Sequence, residues 1–331
     1  MTSALLDVDR IIDELTRREF LGGATGTAAL LGAAACNSSS TSSAPRPSSR
    51  TVDTAHGKVT VPADPARIVC VDTYTVSALL DVGRTPVGVG GGAADLILPK
   101  YRRAYNAIDK VASASQQVDV EAIAALHPDL ILGVDYPYIA NLRAKLAKLA
   151  PVAIFTWRTS GDWASMAASA STAVGRSSQE AGLERRYRDR ANGIKTRYAD
   201  VLSRVRVDLV TAGGGQAYLW LPASGVATVL ADAGVRFGDA SAGKTASAAD
   251  RAIGFRAISF ERMDALADAS VIITVAGPDG KPSADNAAML RQPTFRTLHP
   301  ASVSAITNFF PFSYGQALAT LDELQTILAK L

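Results

Sequence analysis

Between Val118 and Asp135 (VDVEAIAALHPDLILGVD) the spacing of apolar positions changes from helical to continuous. Val120, Ile123, Ala124 and His127 fall on one helical face. Pro128 predicts the end of that helix, because it has no N–H to donate and biases the residue before it away from α. Leu130–Val134 then has no polar position, the pattern of a parallel-sheet strand covered on both faces. The same alternation surrounds it. Ile68–Val71 is a predicted strand ending in Asp72-Thr73-Tyr74, Thr75–Val82 a helix closed by Gly83, and Pro86–Gly90 a second strand. An amphipathic helix near Ile139–Leu149 leads to a strand over Val152–Thr156, followed by Trp157-Arg158. Ahead of them, His56–Pro62 reads as one arm of a hairpin.

From Trp163 to Leu202 no strand pattern occurs. Trp163–Val174 is a predicted helix interrupted at Gly175, and Gln179–Leu202 a long charged one with Leu183, Tyr187, Ile194, Tyr198 and Val201 as apolar contacts. The alternation then restarts: strands over Val205–Ala212, Ala217–Pro222, Val271–Val275 and Val303–Thr307, and helices over Val226–Ala233, Ser259–Ala267 and Tyr314–Leu331. Ser259–Thr274 repeats the helix, acidic turn and apolar strand of the segment before Asp135. The expected fold is α/β, with two Rossmann-like lobes (51–160 and 205–331) joined through 161–204 by one long helix.

The first 50 residues stand apart. Arg17-Arg18 precedes an apolar run, Phe20–Ala35, that is short for a bilayer span of about 20 residues and ends in small side chains. Thr16-Arg-Arg-Glu-Phe-Leu21 resembles a twin-arginine export signal, and Ala33-Ala-Ala-Cys36 resembles a lipoprotein cleavage box, departing from it at Ala33. The expectation is a signal over 1–36, lipidation of Cys36 and a Ser-rich tether over 37–50. The other reading is a signal for soluble secretion with Cys36 incidental. The second cysteine, Cys70, lies in an apolar strand and reads as a small core residue.

With 48% apolar and 20% charged residues the chain is globular, not disordered. Its net charge is +3, and without residues 1–36 it is +5, with no basic clustering of the kind nucleic acid requires. The three histidines are scattered and no His or Cys cluster has metal-ligand spacing. Gly90-Gly-Gly92 and Gly213-Gly-Gly-Gln216 fit neither phosphate-loop pattern, and no nucleophile elbow occurs, so an enzyme is not expected.

Several segments in order resemble one family. These are Val61-Pro-x-x-Pro65 with Arg67-Ile-Val, Gly83-x-x-Pro86-Val-Gly-Val89, Val120-Glu-Ala-Ile-x-x-Leu-x-Pro-Asp-Leu-Ile-Leu-Gly133, Ser259-Phe-Glu261, Asp268–Ile273 and Tyr314-Gly-Gln-Ala-Leu-x-x-Leu-Asp322. From His56 to Leu328 the chain resembles the iron-siderophore, haem and cobalamin binding proteins of ABC importers. The resemblance implies two α/β lobes, a shallow ligand cleft between them, and a stiff connector that limits closure. It implies that Glu121 and Glu261 dock onto a membrane permease, which works with an ATPase. The plainer role for each glutamate is support of its own helix N-terminus.

Cleft candidates follow from the strand ends: Tyr74, Asp135, Tyr136, Trp157 and Arg158 in the first lobe, and Trp220, Phe255, Arg256, Phe310, Phe312 and Tyr314 in the second. Aromatic rings offer a bulky chelate broad apolar contact, and the two arginines could meet its oxygens. Any one ring is as apt for the core as for a ligand. The expected protein is a monomeric, exported, lipid-anchored binding protein on the outer face of the membrane. It has no intrinsic cofactor and carries a ferric siderophore. The alternatives are haem, with a tyrosine such as Tyr74 on the iron, a corrinoid, and, from another class, an envelope scaffold without transport.

Overall fold

The computed structural model describes residues 48–90, 94–112, 117–277 and 279–331. The expected export signal, Cys36, residues 37–47 of the tether, and Gly91-Gly92 lie outside the described residues. The hairpin is present: β1 (Ser49–Thr54) pairs antiparallel with β2 (Gly57–Pro62), His56 lying in its turn. Ser49 and Arg50, expected as the end of the tether, are therefore strand residues, opposite Pro62 and Val61. Composition marked them as linker, whereas the pairing and the Arg50 guanidinium, which donates to the carbonyls of Ala63 and Thr172, make them structure.

Two five-stranded sheets follow. The first contains β3 (Ile68–Cys70), β4 (Gly88–Val89), β5 (Asp109–Lys110), β6 (Leu130–Val134) and β7 (Val152–Phe155), all parallel, in the order β5-β4-β3-β6-β7. The second contains β8 (Val207–Gly213), β9 (Gln216–Trp220), β10 (Phe255–Ile258), β11 (Val271–Val275) and β12 (Ser302–Ile306), in the equivalent order β10-β9-β8-β11-β12. Its β8–β11 and β11–β12 pairs are parallel, whereas β9 pairs antiparallel with both β8 and β10, so β9 alone runs against the other four strands. Gly213 pairs with Gln216, so the turn is Gly214-Gly215, with φ of +58° and +79°, a two-residue connection that suits glycine at both positions. The glycine run is a hairpin turn.

The strands alternate between two apolar environments, as a sheet covered on both faces requires. Ile68, Leu130, Leu132, Ala153 and Phe155 enter one core, and Val69, Ile131, Val152 and Ile154 another. In the second sheet Val207, Leu209, Val271 and Ile273 join that first core, whereas Val210 and Ile272 enter a third. One core thus runs through both lobes, and the helices Trp163–Ala173, Ser177–Arg197 and Tyr314–Leu328 contribute to it.

Three expectations need correction. The helix after Asp119, whose side chain accepts the Ala122 N–H, spans only Val120–Ala125. His127 is exposed, off the helical face, with φ of +44°. Pro128 closes the α region to its predecessor, so the helix ends two residues earlier than periodicity suggested. The connector is also not one helix over Gln179–Leu202. It runs over Ser177–Arg197, turns at Tyr198 and resumes as Ala199–Arg204. Ile194, Tyr198 and Leu202 keep helical spacing across that turn, so the pattern carries no mark of it. Shorter pieces also replace the helix expected near Ile139–Leu149, namely Pro137–Ala140 and Arg143–Leu146.

Candidate ligand-binding site

Asp72, two residues past the end of β3, has its carboxylate buried. One oxygen accepts the N–H groups of Tyr74 and Thr75 at 2.7 and 2.8 Å, and the other accepts the N–H of Val134 at 2.8 Å. Burial pushes its pKa up, while these hydrogen bonds oppose the shift. The carboxylate therefore fixes the ends of β3 and β6 together, and with them Tyr74 and Tyr136. Gly90 and Gly133 leave the necessary room: a Cβ on either would press against the Val71 backbone or side chain.

Tyr74 stacks on Trp157 with ring centroids 4.9 Å apart, meets Tyr136 at 5.8 Å, and receives Phe312 edge-on at 4.7 Å. Tyr136 stacks in turn on Tyr138, at 5.7 Å. The Trp157 indole N–H donates to the Tyr136 hydroxyl at 3.1 Å, which faces the Tyr74 hydroxyl across a long 3.4 Å contact. Burial, and after it the Tyr136 hydroxyl, pushes the Tyr74 phenol above its ordinary range. A second group centres on Trp220, whose ring lies 5.5 Å from Phe255, 5.9 Å from Phe309 and 5.1 Å from Phe310. Its indole N–H donates to Thr211 at 2.9 Å. Trp220 and Phe255 are cross-strand partners on β9 and β10.

The segment Phe309–Phe312 joins the two groups, and the closing helix holds that segment. Glu323 accepts the N–H groups of Thr307 and Asn308, Thr320 donates to the Asn308 carbonyl, and Gln316 accepts the Phe312 N–H at 2.9 Å. Positions 316, 320 and 323 share one helical face, so a single face sets the aromatic strip. The lobes also touch at the strip's margins. Thr159 donates to the Ala223 carbonyl at 2.7 Å, and the Gly225 N–H donates to Ser160 at 2.9 Å.

The charged candidates are engaged. Arg158 is exposed and bound to Asp162, with one N–H donating at 3.0 Å, while its backbone N–H donates to the same carboxylate at 2.7 Å. Burial would raise the Asp162 pKa, but the bonds from Arg158 outweigh it and the carboxyl lies below its usual range. Arg256 donates to the carbonyl and hydroxyl of Thr245. Asp135 faces the His56 ring at 3.0 Å.

The structure thus gathers Tyr74, Tyr136, Trp157 and Phe312 in one group and Trp220, Phe255 and Phe310 in another. Tyr314 stands apart from both. It packs on Trp163 and Tyr187 at 5.0 and 5.5 Å, beside a cavity of about 520 Å³ on the long-helix side. Helical phase explains this, since Tyr314 opens the closing helix on the face opposed to Ser177–Arg197. Residues that sequence reasoning passed over are Asp72, Tyr138, Thr211, Phe309 and the 316–320–323 face. The polar group Asp72-Thr73-Tyr74 after the apolar run Ile68–Val71 was the one available signal for Asp72. Glu121 and Glu261 are exposed near the starts of Val120–Ala125 and of the 3₁₀ turn Phe260–Leu266. The Ser259 hydroxyl bonds the Glu261 carboxylate and holds its pKa low, and caps no backbone N–H.

A profile of the periplasmic binding proteins matches residues 68–302, most of the chain. The protein belongs to this periplasmic binding protein family. The family consists of binding proteins, not enzymes. Among relatives, YhfQ of Bacillus subtilis, named as an ABC transporter substrate-binding lipoprotein, is 35% identical over 120 residues, 36% of each chain. The Fe(3+) dicitrate-binding periplasmic protein FecB of Escherichia coli is 35% identical over 109 residues, 33% of this chain and 36% of its own. The chain therefore matches little more than a third of the length of these two. The siderophore periplasmic binding protein from the fuscachelin gene cluster of Thermobifida fusca superposes with a TM-score of 0.71 at 27% identity, covering 82% of this chain and 99% of that one. The two-lobe α/β fold of this periplasmic binding protein is the fold of that relative.

Proposed function

We propose that this protein is the substrate-binding component of an ABC importer, capturing a ferric siderophore and passing it to a membrane permease and its ATPase. The observation that carries the reading is the aromatic strip to which both lobes contribute, Tyr74, Tyr136 and Trp157 on one side and Trp220, Phe310 and Phe312 on the other. Such a strip gives a bulky ligand large contact area at low entropic cost. Among the described residues no group of three or more His, Cys, Asp or Glu could hold a metal ion, so iron would enter already chelated. The relatives' names, one for dicitrate and one for a siderophore, point to the same ligand type.

Haem is the weaker reading. Its iron would take a tyrosine such as Tyr74, whose ring is already packed against Trp157, Tyr136 and Phe312. Glu121 and Glu261 would orient the loaded protein on the permease, as two separated exposed carboxylates can. Export through the Arg17-Arg18 signal and anchoring at Cys36 complete the proposal, supported by the lipoprotein name of YhfQ.

The test is tryptophan quenching of the purified protein, titrated with ferric siderophores, their iron-free forms and haem. Sub-micromolar quenching by a ferric siderophore and none by its iron-free form is expected. Tight binding of haem alone would replace the siderophore reading. Silence from folded protein across the panel would leave an envelope scaffold.

A further inference from the structure

The cavity of about 520 Å³ on the long-helix side lies between the connector and the second lobe. Glu184 and Arg188 enter it from the helix Ser177–Arg197, and Asp232, exposed, from the end of the second-lobe helix Gly225–Asp232. Its size is that of a small-molecule site, and the packed rings of Trp163, Tyr187 and Tyr314 line it. Two of these rings have their polar hydrogen engaged. The Trp163 indole N–H donates to Thr228 at 3.1 Å, and the Tyr187 hydroxyl donates to Asp232 at 2.7 Å. Tyr314 is only 6% exposed, yet its hydroxyl has no hydrogen-bond partner among the described residues. Burial, and after it the charges of Glu184 and Glu180, push that phenol up to about 12, with Arg188 opposing and Asp232 adding. The hydroxyl thus lies in the field of all three charged side chains that line the cavity. Arg188 is held by Glu184 in an ion pair, whereas Asp232 has no cationic partner among the described residues. The lining therefore carries one carboxylate in excess.

We propose that this cavity is a second binding site, separate from the aromatic strip, for a small organic cation: a primary ammonium group on an apolar or aromatic body. The ammonium donates to the Asp232 carboxylate and to the Tyr314 hydroxyl oxygen, while the body lies against the rings. An anion of the same shape meets the excess carboxylate, and a neutral alcohol forgoes the charge. Such a ligand would bridge the long helix, the second-lobe helix and the closing helix. It would do so whatever the cleft carries, because none of its contacts belongs to the strip.

The experiment titrates the purified protein with phenethylamine, with its neutral counterpart phenethyl alcohol and with the anion hydrocinnamate, by calorimetry and tryptophan fluorescence in parallel. The amine should bind with a Kd below about 1 mM, the alcohol about tenfold more weakly, and the anion not measurably. Asp232→Asn keeps an acceptor for the Tyr187 hydroxyl. It should weaken the amine about fivefold, the scale of one exposed charge pair, and leave the alcohol unchanged. Should that variant not fold, Tyr314→Phe serves, since it removes only the free hydroxyl and should also weaken the amine several-fold. Trp163→Phe should abolish the fluorescence response to the amine while calorimetry still detects binding. An amine bound no more tightly than the alcohol, an affinity unmoved in the folded variants, or a response that survives Trp163→Phe overturns the proposal.

Discussion

Asp81, at the end of the first-lobe helix Thr75–Asp81, accepts the N–H of Gly315 at 2.6 Å, from the first turn of the closing helix 234 residues later. A carboxylate at a helix N-terminus meets both free N–H groups and a favourable dipole. Together with Gln316, whose amide donates to the Leu96 carbonyl, it docks a helix of the second lobe's sequence onto the first. A Cβ at position 315 would collide with the Asp81 carboxylate. Gly315→Ala should therefore cost about 1–3 kcal/mol, the penalty of a buried acceptor deprived of its donor. Urea unfolding of the variant measures it, and an unchanged midpoint would contradict the docking role.

Beside Asp81, Glu180 is buried with one oxygen bonded to Ser171 at 3.0 Å and the other unpartnered. Burial raises its pKa from 4.5 to about 7, with the charges of Asp81 and Glu184 adding to the shift. A carboxyl raised on folding stabilises fully below its unfolded value and loses that contribution as pH climbs through the folded one. Stability should thus fall between about pH 4.5 and 7 and level off above. Glu180→Gln should be more stable than wild type at pH 8 by about 1–3 kcal/mol, with the gap closing near pH 4.5. Denaturation at both pH values is the check, and a gap independent of pH would exclude Glu180 as the titrating group.

Phe312 is 5% exposed and fills the space between Tyr74 and Trp157, at 4.7 and 6.1 Å. Phe312→Ala should lower stability by about 3–5 kcal/mol, as loss of a buried ring does, and weaken ligand binding as well. Calorimetry and fluorescence titration report the two effects separately. If the ring served packing alone, affinity would survive under conditions where the variant is folded.

The three tryptophans are expected to report differently. Trp157 and Trp220 belong to the strip, whereas Trp163 contacts Tyr187 and Tyr314 and donates to Thr228 at 3.1 Å. Trp163→Phe should retain most ligand-induced quenching, and Trp157→Phe should lose much of it. The reverse result would move the site to the cavity on the long-helix side.

Glu121 and Glu261 are exposed, on Val120–Ala125 and Phe260–Leu266. The double change Glu121→Ala with Glu261→Ala should abolish most uptake of labelled chelate by cells, while in vitro affinity is retained. Rim charges act through encounter and register more than through binding energy, so the single changes should have milder effects. Full uptake by the double variant would refute the docking assignment.

Periodicity alone determined the two-lobe α/β architecture. A strand such as Leu130–Val134 with no polar position has to be covered on both sides, and its recurrence in both halves dictates two such sheets. Strand ends, read the same way, were enough to name most of the aromatic strip. The strand pattern did not show that β9 runs against its neighbours: the Gly214-Gly215 turn reverses it beside β8, and β10, which pairs with it antiparallel, arrives only after a long intervening segment. Nor could the sequence tell that Tyr314 faces the long helix, that Arg158 is paired, or that Asp72 and Glu323 fix the strand ends from within. Apart from the local Arg158–Asp162 pair, those are relations between residues distant in the chain, or matters of helical phase at one position. Only packing decides them, because each depends on which surfaces meet when the shared core closes.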